Sequence, residues 1–265
     1  MEKIFFGSFI FILGASIGSF LNVLIDRLPK EEGINGRSHC DFCGKKIVWY
    51  DMFPVLSYFI LKGKTRCCRK KLSFQYPLIE MITGISFLLI FNFHFSFFSE
   101  FSIFNFQTLL LFGIISCLIV IFVSDFKYHL ISDYILLALF VFSLLLKFII
   151  PAEAGIQILG RDVLSGLIVS FPIFLIYFIS RERAMGLGDV YLSAIMGFLL
   201  GWQAGFLALY IAFVTGAIYG LVVIIFKNKK LKSKIAFGPF LVIGTVTMLF
   251  WGEKILEMIK RMYGF

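Results

Sequence analysis

Two aspartates stand where an apolar chain offers little solvation. Asp189 ends Met185-Gly186-Leu187-Gly188-Asp189 at the mouth of an apolar segment starting at Val190, and Asp125 closes another in Val123-Ser124-Asp125-Phe126-Lys127. A charge at the edge of a hydrocarbon span is costly and marks a functional candidate. Two carboxylates held close together cannot both ionise cheaply. Near neutral pH one keeps a proton while the other is charged, and the pair titrates as a unit. The charged member can take a proton from water and the protonated one can polarise a carbonyl. That is acid–base peptide hydrolysis without a covalent intermediate. Gly186 and Gly188 have no Cβ, which permits a tight turn beside Asp189 and close approach of a substrate backbone. The competing assignment for Asp189 is a helix cap, and Asp133 has the same capping assignment at the start of its own span.

A second constellation is Cys40, Cys43, Cys67 and Cys68, which share one polar segment. Cys40-Asp41-Phe42-Cys43-Gly44-Lys45 has the spacing of one zinc-ribbon knuckle, in which both thiolates reach one ion. The downstream half, Thr65-Arg66-Cys67-Cys68-Arg69, is irregular because neighbouring cysteines reach one metal less comfortably. Cys40, Cys43 and Cys68 with Cys67 or His39 complete a four-ligand Zn2+ site. The alternative is a set of reduced surface thiols in a small domain held by other contacts. In a cytosolic segment metal is favoured over disulfides. Cys117 lies in an apolar run and reads as a core residue.

The elements that must position these groups follow from composition. Of the 265 residues, 60% are hydrophobic and 15% charged. The apolar residues come in runs of about 20, the length of a bilayer-crossing helix, and helices pair their own backbone groups in lipid. The expected fold is all-α and polytopic, with about eight transmembrane helices and a small cytosolic zinc-ribbon-like insertion after the first. The spans fall at about 4–25, 77–98, 106–124, 131–150, 163–180, two within 189–226 separated near Gly201-Trp202-Gln203, and 236–251. Span six is expected to be short or tilted. The turn 125–130 is polar, 151–162 is a loop, and Glu80 falls in the first turn of span two. Residues 4–25 are uncharged and too long for a cleaved signal peptide. Gly14, Ser16, Gly18 and Ser19 form a small-residue stripe suited to close helix contact, and Asn22 needs a hydrogen-bonding partner.

The domain division is 1–25 (first span), 26–76 (Cys-containing cytosolic domain), 77–251 (membrane domain with both aspartates) and 252–265 (amphipathic tail along the interface). The net charge of +9 does not point to nucleic acid. With 26–76 in the cytosol, 19 of the 25 basic residues fall on that side, as the positive-inside rule requires. Asp125, Asp133 and Asp189 then share the cytosolic face. Asn22, Arg27 and Glu80 fall at the same membrane edge, either as a substrate or cofactor pocket or as packing and capping residues. No motif defines an oligomeric state.

The chain resembles the prepilin peptidases of type IV pilus and type II secretion systems, which are Gly-x-Gly-Asp membrane aspartic proteases. The resemblance is carried by Gly18-Ser19-Phe20-Leu21-Asn22-Val23-Leu24-Ile25-Asp26-Arg27-Leu28-Pro29, by Trp49 to Tyr58, and by Tyr76-Pro77-Leu78-Ile79-Glu80. It is carried also by Asp125 with Asp133 eight positions later, and by Gly186-Leu187-Gly188-Asp189. It implies a bifunctional enzyme of the bacterial inner membrane with its site facing the cytosol. The substrates would be prepilins or pseudopilins, whose basic leader is removed after a glycine. The new N-terminus would then be methylated from S-adenosylmethionine. Asp125 and Asp189 map to the catalytic pair. One departure concerns the second Cys-x-x-Cys typical of the family. Alignment on Leu72-Ser73 and Tyr76-Pro77 puts Cys68 at its fourth cysteine and Thr65 at its third, leaving Cys67 as the candidate substitute.

Two other readings use the same aspartates. One is a Gly-x-Gly-Asp protease of the signal-peptide-peptidase kind, cutting within a span. The other is a transporter or assembly scaffold whose carboxylates serve ion coupling or packing. Hydrolysis requires Asp125 and Asp189 within reach of one water.

Overall fold

Long apolar runs leave backbone N–H and C=O groups no water to bond, and this chain meets that constraint with helices. The computed structural model describes residues 2–33, 39–40, 42–97, 106–149, 156–183, 185–227 and 236–263. The helices are α1 (Glu2–Arg27), α2 (Leu56–Ile60), α3 (Gln75–Phe97), α4 (Phe106–Tyr128), α5 (Asp133–Ile149), α6 (Ile156–Ser180), α7 (Leu187–Leu200), α8 (Trp202–Lys227) and α9 (Gly238–Tyr263). Among the described residues there is no β-strand, only the isolated bridges His39–Lys46 and Lys64–Lys71. Each of the eight expected spans coincides with one helix, and α2 is an addition within the cysteine-bearing segment. Among the described residues six helices are long and apolar enough to cross a membrane, so the chain is a multi-pass membrane protein. The span expected to be short is α7, with 14 residues. At 1.5 Å per residue it is about 21 Å long, less than the roughly 30 Å of a hydrocarbon core.

Several boundaries differ from expectation. The segment from Asp125 was expected to be a polar turn, yet α4 continues to Tyr128. Lys127 suits a helix C-terminus, and His129 ends α4 in the left-handed region (φ 54°), its N–H donating to the Asp125 carbonyl at 2.9 Å. Asp125 therefore sits in the last helical turns and inherits their rigidity. α3 starts at Gln75, so Glu80 lies in the second turn, not the first. α6 starts at Ile156, well inside the expected loop. The expected separate tail is the continuation of α9, which runs unbroken to Tyr263. Pro151, residues 98–105 of the Phe-rich stretch and residues 228–235 of the basic loop lie outside the described residues.

The chain divides into two compact units, residues 1–120 and 121–265, with α4 contributing to each. In the first, α1 packs along α3. The small-residue stripe does this: a Cβ on Gly14 would lie 2.9 Å from Gly84 Cα, and one on Gly18 2.7 Å from Glu80 Cα. Phe87 of α3 stacks on Phe112 of α4 with ring centroids 4.0 Å apart. Asn22 finds the partners it needs, donating through Nδ2 to the carbonyls of Gly18 (3.3 Å) and Tyr76 (3.2 Å). In the second unit α7 packs against α5, α6, α8 and α9. Its tightest seam is with α6, where a Cβ on Gly197 would lie 2.7 Å from the Ser165 carbonyl oxygen and 3.0 Å from Gly166 Cα. α8 and α9 touch where Gly244 meets the Ala208 carbonyl, leaving no room for a side chain.

Gly244→Val should therefore force α8 and α9 apart and destabilise the protein by about 1–3 kcal/mol, the usual cost of overpacking. Thermal unfolding in detergent would register this. Gly160→Ala, which meets nothing within 4 Å, should leave the midpoint unchanged.

Candidate active site and metal centre

Asp125 and Asp189 come from opposite ends of their helices. Asp125 is in the last turns of α4, and Asp189 is the third residue of α7, with Gly186 as its extended N-cap (φ −82°, ψ 159°). Both carboxylates are withdrawn from solvent, at 6% and 7% exposure. Each lies beside a glycine that closes on Ile131: Gly188 is next to Asp189 in the chain, and Gly238 packs against Asp125. Asp189 accepts a hydrogen bond from the Gly186 N–H at 3.2 Å, the return half of a capping box. The capping assignment is thus correct and compatible with a second role.

Asp125 is held from far away in sequence. The Gly238 N–H, at the head of α9, donates to its Oδ2 at 2.9 Å. Ile131 fills the space between the heads of α7 and α9. A Cβ on Gly188 would lie 3.1 Å from Ile131 Cβ, and one on Gly238 3.2 Å from Ile131 Cδ1. Gly188 is required for this close approach rather than for a turn. Asp133, expected to support the pair, is exposed in the first turn of α5. Gly238 and Ile131 escaped the sequence reading. The only trace of Gly238 is the Gly238-Pro239 dipeptide at a helix start, which carries no chemistry by itself.

The cysteine segment folds into two matching tight turns. In the first, Gly44 N–H donates to the Cys40 carbonyl at 2.8 Å and Cys40 N–H to the Lys45 carbonyl at 2.9 Å. In the second, Arg69 N–H donates to the Thr65 carbonyl at 2.9 Å and Thr65 N–H to the Lys70 carbonyl at 2.8 Å. The bridges His39–Lys46 and Lys64–Lys71 flank the two turns alike. Thr65 therefore occupies the place of Cys40, and Cys68 that of Cys43. Cys67 supplies the missing thiol from the neighbouring position. The four Sγ atoms lie within 4.8 Å of one another. The separations Cys40–Cys68 (3.8 Å) and Cys43–Cys67 (3.2 Å) are near the edge of about 3.8 Å that four Zn–S bonds of about 2.3 Å define in a tetrahedron. The donor set and its spacing fit zinc. His39 is turned away, its Nδ1 3.4 Å from Arg27 Nη2, so Cys67 and not His39 completes the set.

The thiols are unequal without an ion. Hydrogen bonding to Cys43 and then Cys40 pushes the Cys67 thiol up to about 12. The Thr65 hydroxyl, 3.1 Å from Cys68 Sγ, and the Lys70 amide pull Cys68 down to about 7. Cys68 thus loses its proton to a metal more readily than Cys67.

Asn22, Arg27 and Glu80 come together on one cavity of about 310 Å³ in the first unit, shared with Asp26, Lys30 and Tyr76. Asn22 Oδ1 is buried without a partner. Its amide orientation is settled by the two carbonyls that Nδ2 serves. Glu80 accepts from the Val55 N–H at 2.7 Å. Val55 holds φ at 61°, an uncommon backbone for a β-branched residue. Tyr76 donates to Asp26 Oδ2 at 3.0 Å.

Comparison with known proteins identifies two matching families. Residues 12–94 match the bacterial peptidase A24 N-terminal domain, and residues 112–221 match the type IV leader peptidase family. Among relatives, a prepilin leader peptidase/N-methyltransferase of Klebsiella pneumoniae is 34% identical, over 75% of this chain and 86% of the relative. One of Myxococcus xanthus is 32% identical over 83% of this chain and 64% of that longer relative. One of Pseudomonas putida is 26% identical over the full chain and 97% of its own length. No solved structure shows a significant match. The matches run through both aspartates and all four clustered cysteines: the chain belongs to the type IV leader peptidase family.

Proposed function

We propose that this chain is a bifunctional membrane enzyme. It removes the basic leader of type IV prepilins or pseudopilins after a glycine and then N-methylates the new N-terminal residue. The observation that supports the peptidase reading is that Asp125 and Asp189 are both buried, each accepts one backbone N–H, and the glycines beside them, Gly238 and Gly188, both close on Ile131. In this reading the pair binds one water. The charged carboxylate takes a proton from the water as its oxygen attacks the scissile carbonyl, and the protonated one hydrogen-bonds the developing oxyanion. Collapse of the tetrahedral species breaks the C–N bond, and the amine leaves with a proton from the pair. Gly186, where an added Cβ would lie 4.0 Å from Asp189 Oδ2, keeps a side chain away from the carboxylate and the substrate backbone. The concentration of basic residues in 26–76 and the loops on its side supports a cytosolic site in the inner membrane. No specific observation favours cleavage within a span or a transport role.

Asp125→Ala and Asp189→Ala should each abolish leader cleavage, measured as the mobility shift of a prepilin in proteoliposomes, while membrane insertion is unchanged. Cleavage by either variant would refute the pair.

For methylation, S-adenosylmethionine supplies an electrophilic methyl group when bound. The cavity around Asn22, Arg27 and Glu80 has a suitable polar lining. Asp26, Glu80 and Asn22 Oδ1 are acceptors for amino and hydroxyl groups, while Arg27 and Lys30 are counter-charges for a carboxylate. Its volume lies at the small end of ligand sites. Glu80→Gln keeps an acceptor for the Val55 amide but removes the charge. It should lower N-methylation at least about tenfold, as loss of a charged hydrogen bond does, with leader cleavage intact. Mass spectrometry of the mature N-terminus reads both. Full methylation would remove Glu80 from the site.

Cys40, Cys43, Cys67 and Cys68 are proposed to hold Zn2+ as a structural ion that ties the two turns together. Cys67→Ser and Cys68→Ser should each lower the bound zinc found by elemental analysis well below one per chain. Cys117→Ser, in the core of α4, should not. Zinc retained by Cys67→Ser would return the fourth position to another ligand.

A further inference from the structure

Beyond the two aspartates, the geometry points to Gly238 as a positioning residue of the peptidase site: its amide, at the head of α9, sets the carboxylate of Asp125. This rests on the proposed pairing of Asp125 with Asp189. Three observations carry it. The Gly238 N–H donates to Asp125 Oδ2 at 2.9 Å, although the two residues are 113 positions apart. It is a free donor, because the first N–H groups of a helix have no partner within the helix, and Pro239 beside it has no N–H to offer. The residue must also be glycine. A Cβ at this position would lie 2.6 Å from Asp125 Oδ2 and 3.2 Å from its Cγ, closer than real Cβ contacts run, so any side chain would push the carboxylate from its place.

The surroundings give this contact its rigidity. Phe237, just before Gly238, packs its ring against Phe213 of α8 (centroids 5.1 Å apart) and Phe240 of α9 (6.4 Å). The Phe237 carbonyl accepts from the N–H groups of Phe240 (3.0 Å) and Leu241 (3.2 Å). The head of α9 is therefore anchored by its own first turn and by α8, and it presents one N–H to one carboxylate oxygen. The two aspartates are thus steadied by different means. Asp189 is held by its own N-cap, Gly186. Asp125, at the C-terminal end of its helix where the dipole disfavours a negative charge, is held by the positive end of another helix.

The test is Gly238→Ala in the full-length protein in proteoliposomes, assayed on a prepilin. The expected result is a fall in kcat for cleavage of about 10²-fold, the scale of a 1 Å misplacement of a reacting group, with KM for the prepilin little changed. Two further variants separate positioning from packing. Gly252→Ala adds a methyl to α9 itself, in ordinary contact with Met248 at 3.4 Å and away from Asp125, and should cleave at the wild-type rate. Ile131→Ala in the Gly238→Ala background opens the apolar side of the new methyl but not the Asp125 side, and should not restore kcat. Wild-type kcat in Gly238→Ala, restoration by Ile131→Ala, or an equal loss in Gly252→Ala would each overturn the assignment. If Asp125→Ala itself still cleaves, the pairing falls first. If Asp125→Ala is inactive and Gly238→Ala is fully active, only the role of Gly238 falls.

Discussion

A carboxylate placed among apolar helices must be given back some of the hydrogen bonding that water would have supplied. Much of the second unit is arranged around that need. Asp125 and Asp189 are both buried, and the only donors that reach them in the described contacts are backbone amides of two glycines. Backbone amides are rigid and need no side chain that would fill the space where a substrate must lie. They can reach the carboxylates only where a helix begins, because elsewhere the N–H is already used. The heads of α7 and α9 therefore have to converge near the end of α4, and close-packed seams along α6–α7 and α8–α9 hold them there.

Close packing of this kind does not come from hydrophobicity, since lipid is as apolar as the helix surfaces. It comes from small residues that let backbones approach. Gly166 against Gly197 and Gly244 against Ala208 serve the second unit, as Gly14 against Gly84 serves the first. The short α7 fits the same logic. A helix of 14 residues is shorter than the hydrocarbon layer, and Asp189 stands in its first turn.

The cysteine segment solves a different problem. A segment whose described residues form no strand and bury little apolar surface needs a tie between its turns. The second turn lacks the cysteine that its match to the first calls for, with Thr65 in that place. Cys67 restores the four-thiol set, and the Thr65 hydroxyl stays in hydrogen-bonding contact with Cys68 Sγ at 3.1 Å. The tie also borders the cavity that holds Asn22, Arg27 and Glu80, so the proposed ion would brace the wall of the proposed methyl-transfer site.

What was legible in the sequence follows one physical rule: hydrocarbon punishes polarity, so the apolar helices and the misplaced charges of Asp125 and Asp189 could be read from residue types alone. The same holds for the small-residue stripe of α1 and the Cys-x-x-Cys knuckle. The choice between Cys67 and His39 could not be read, because it depends on how two distant turns superpose. Nor could the extension of α4 through Asp125 to Tyr128, since Phe-Lys-Tyr suits a helix end as well as a turn. Gly238 was invisible for a stronger reason. Its amide belongs to every residue type but proline, and it matters only because tertiary packing brings the head of α9 to Asp125. The sequence by itself determined the solvent, the helices and the two carboxylates. Only the tertiary structure decided which backbone donors face those carboxylates, because helix–helix contacts between distant segments set that geometry and leave no local signature.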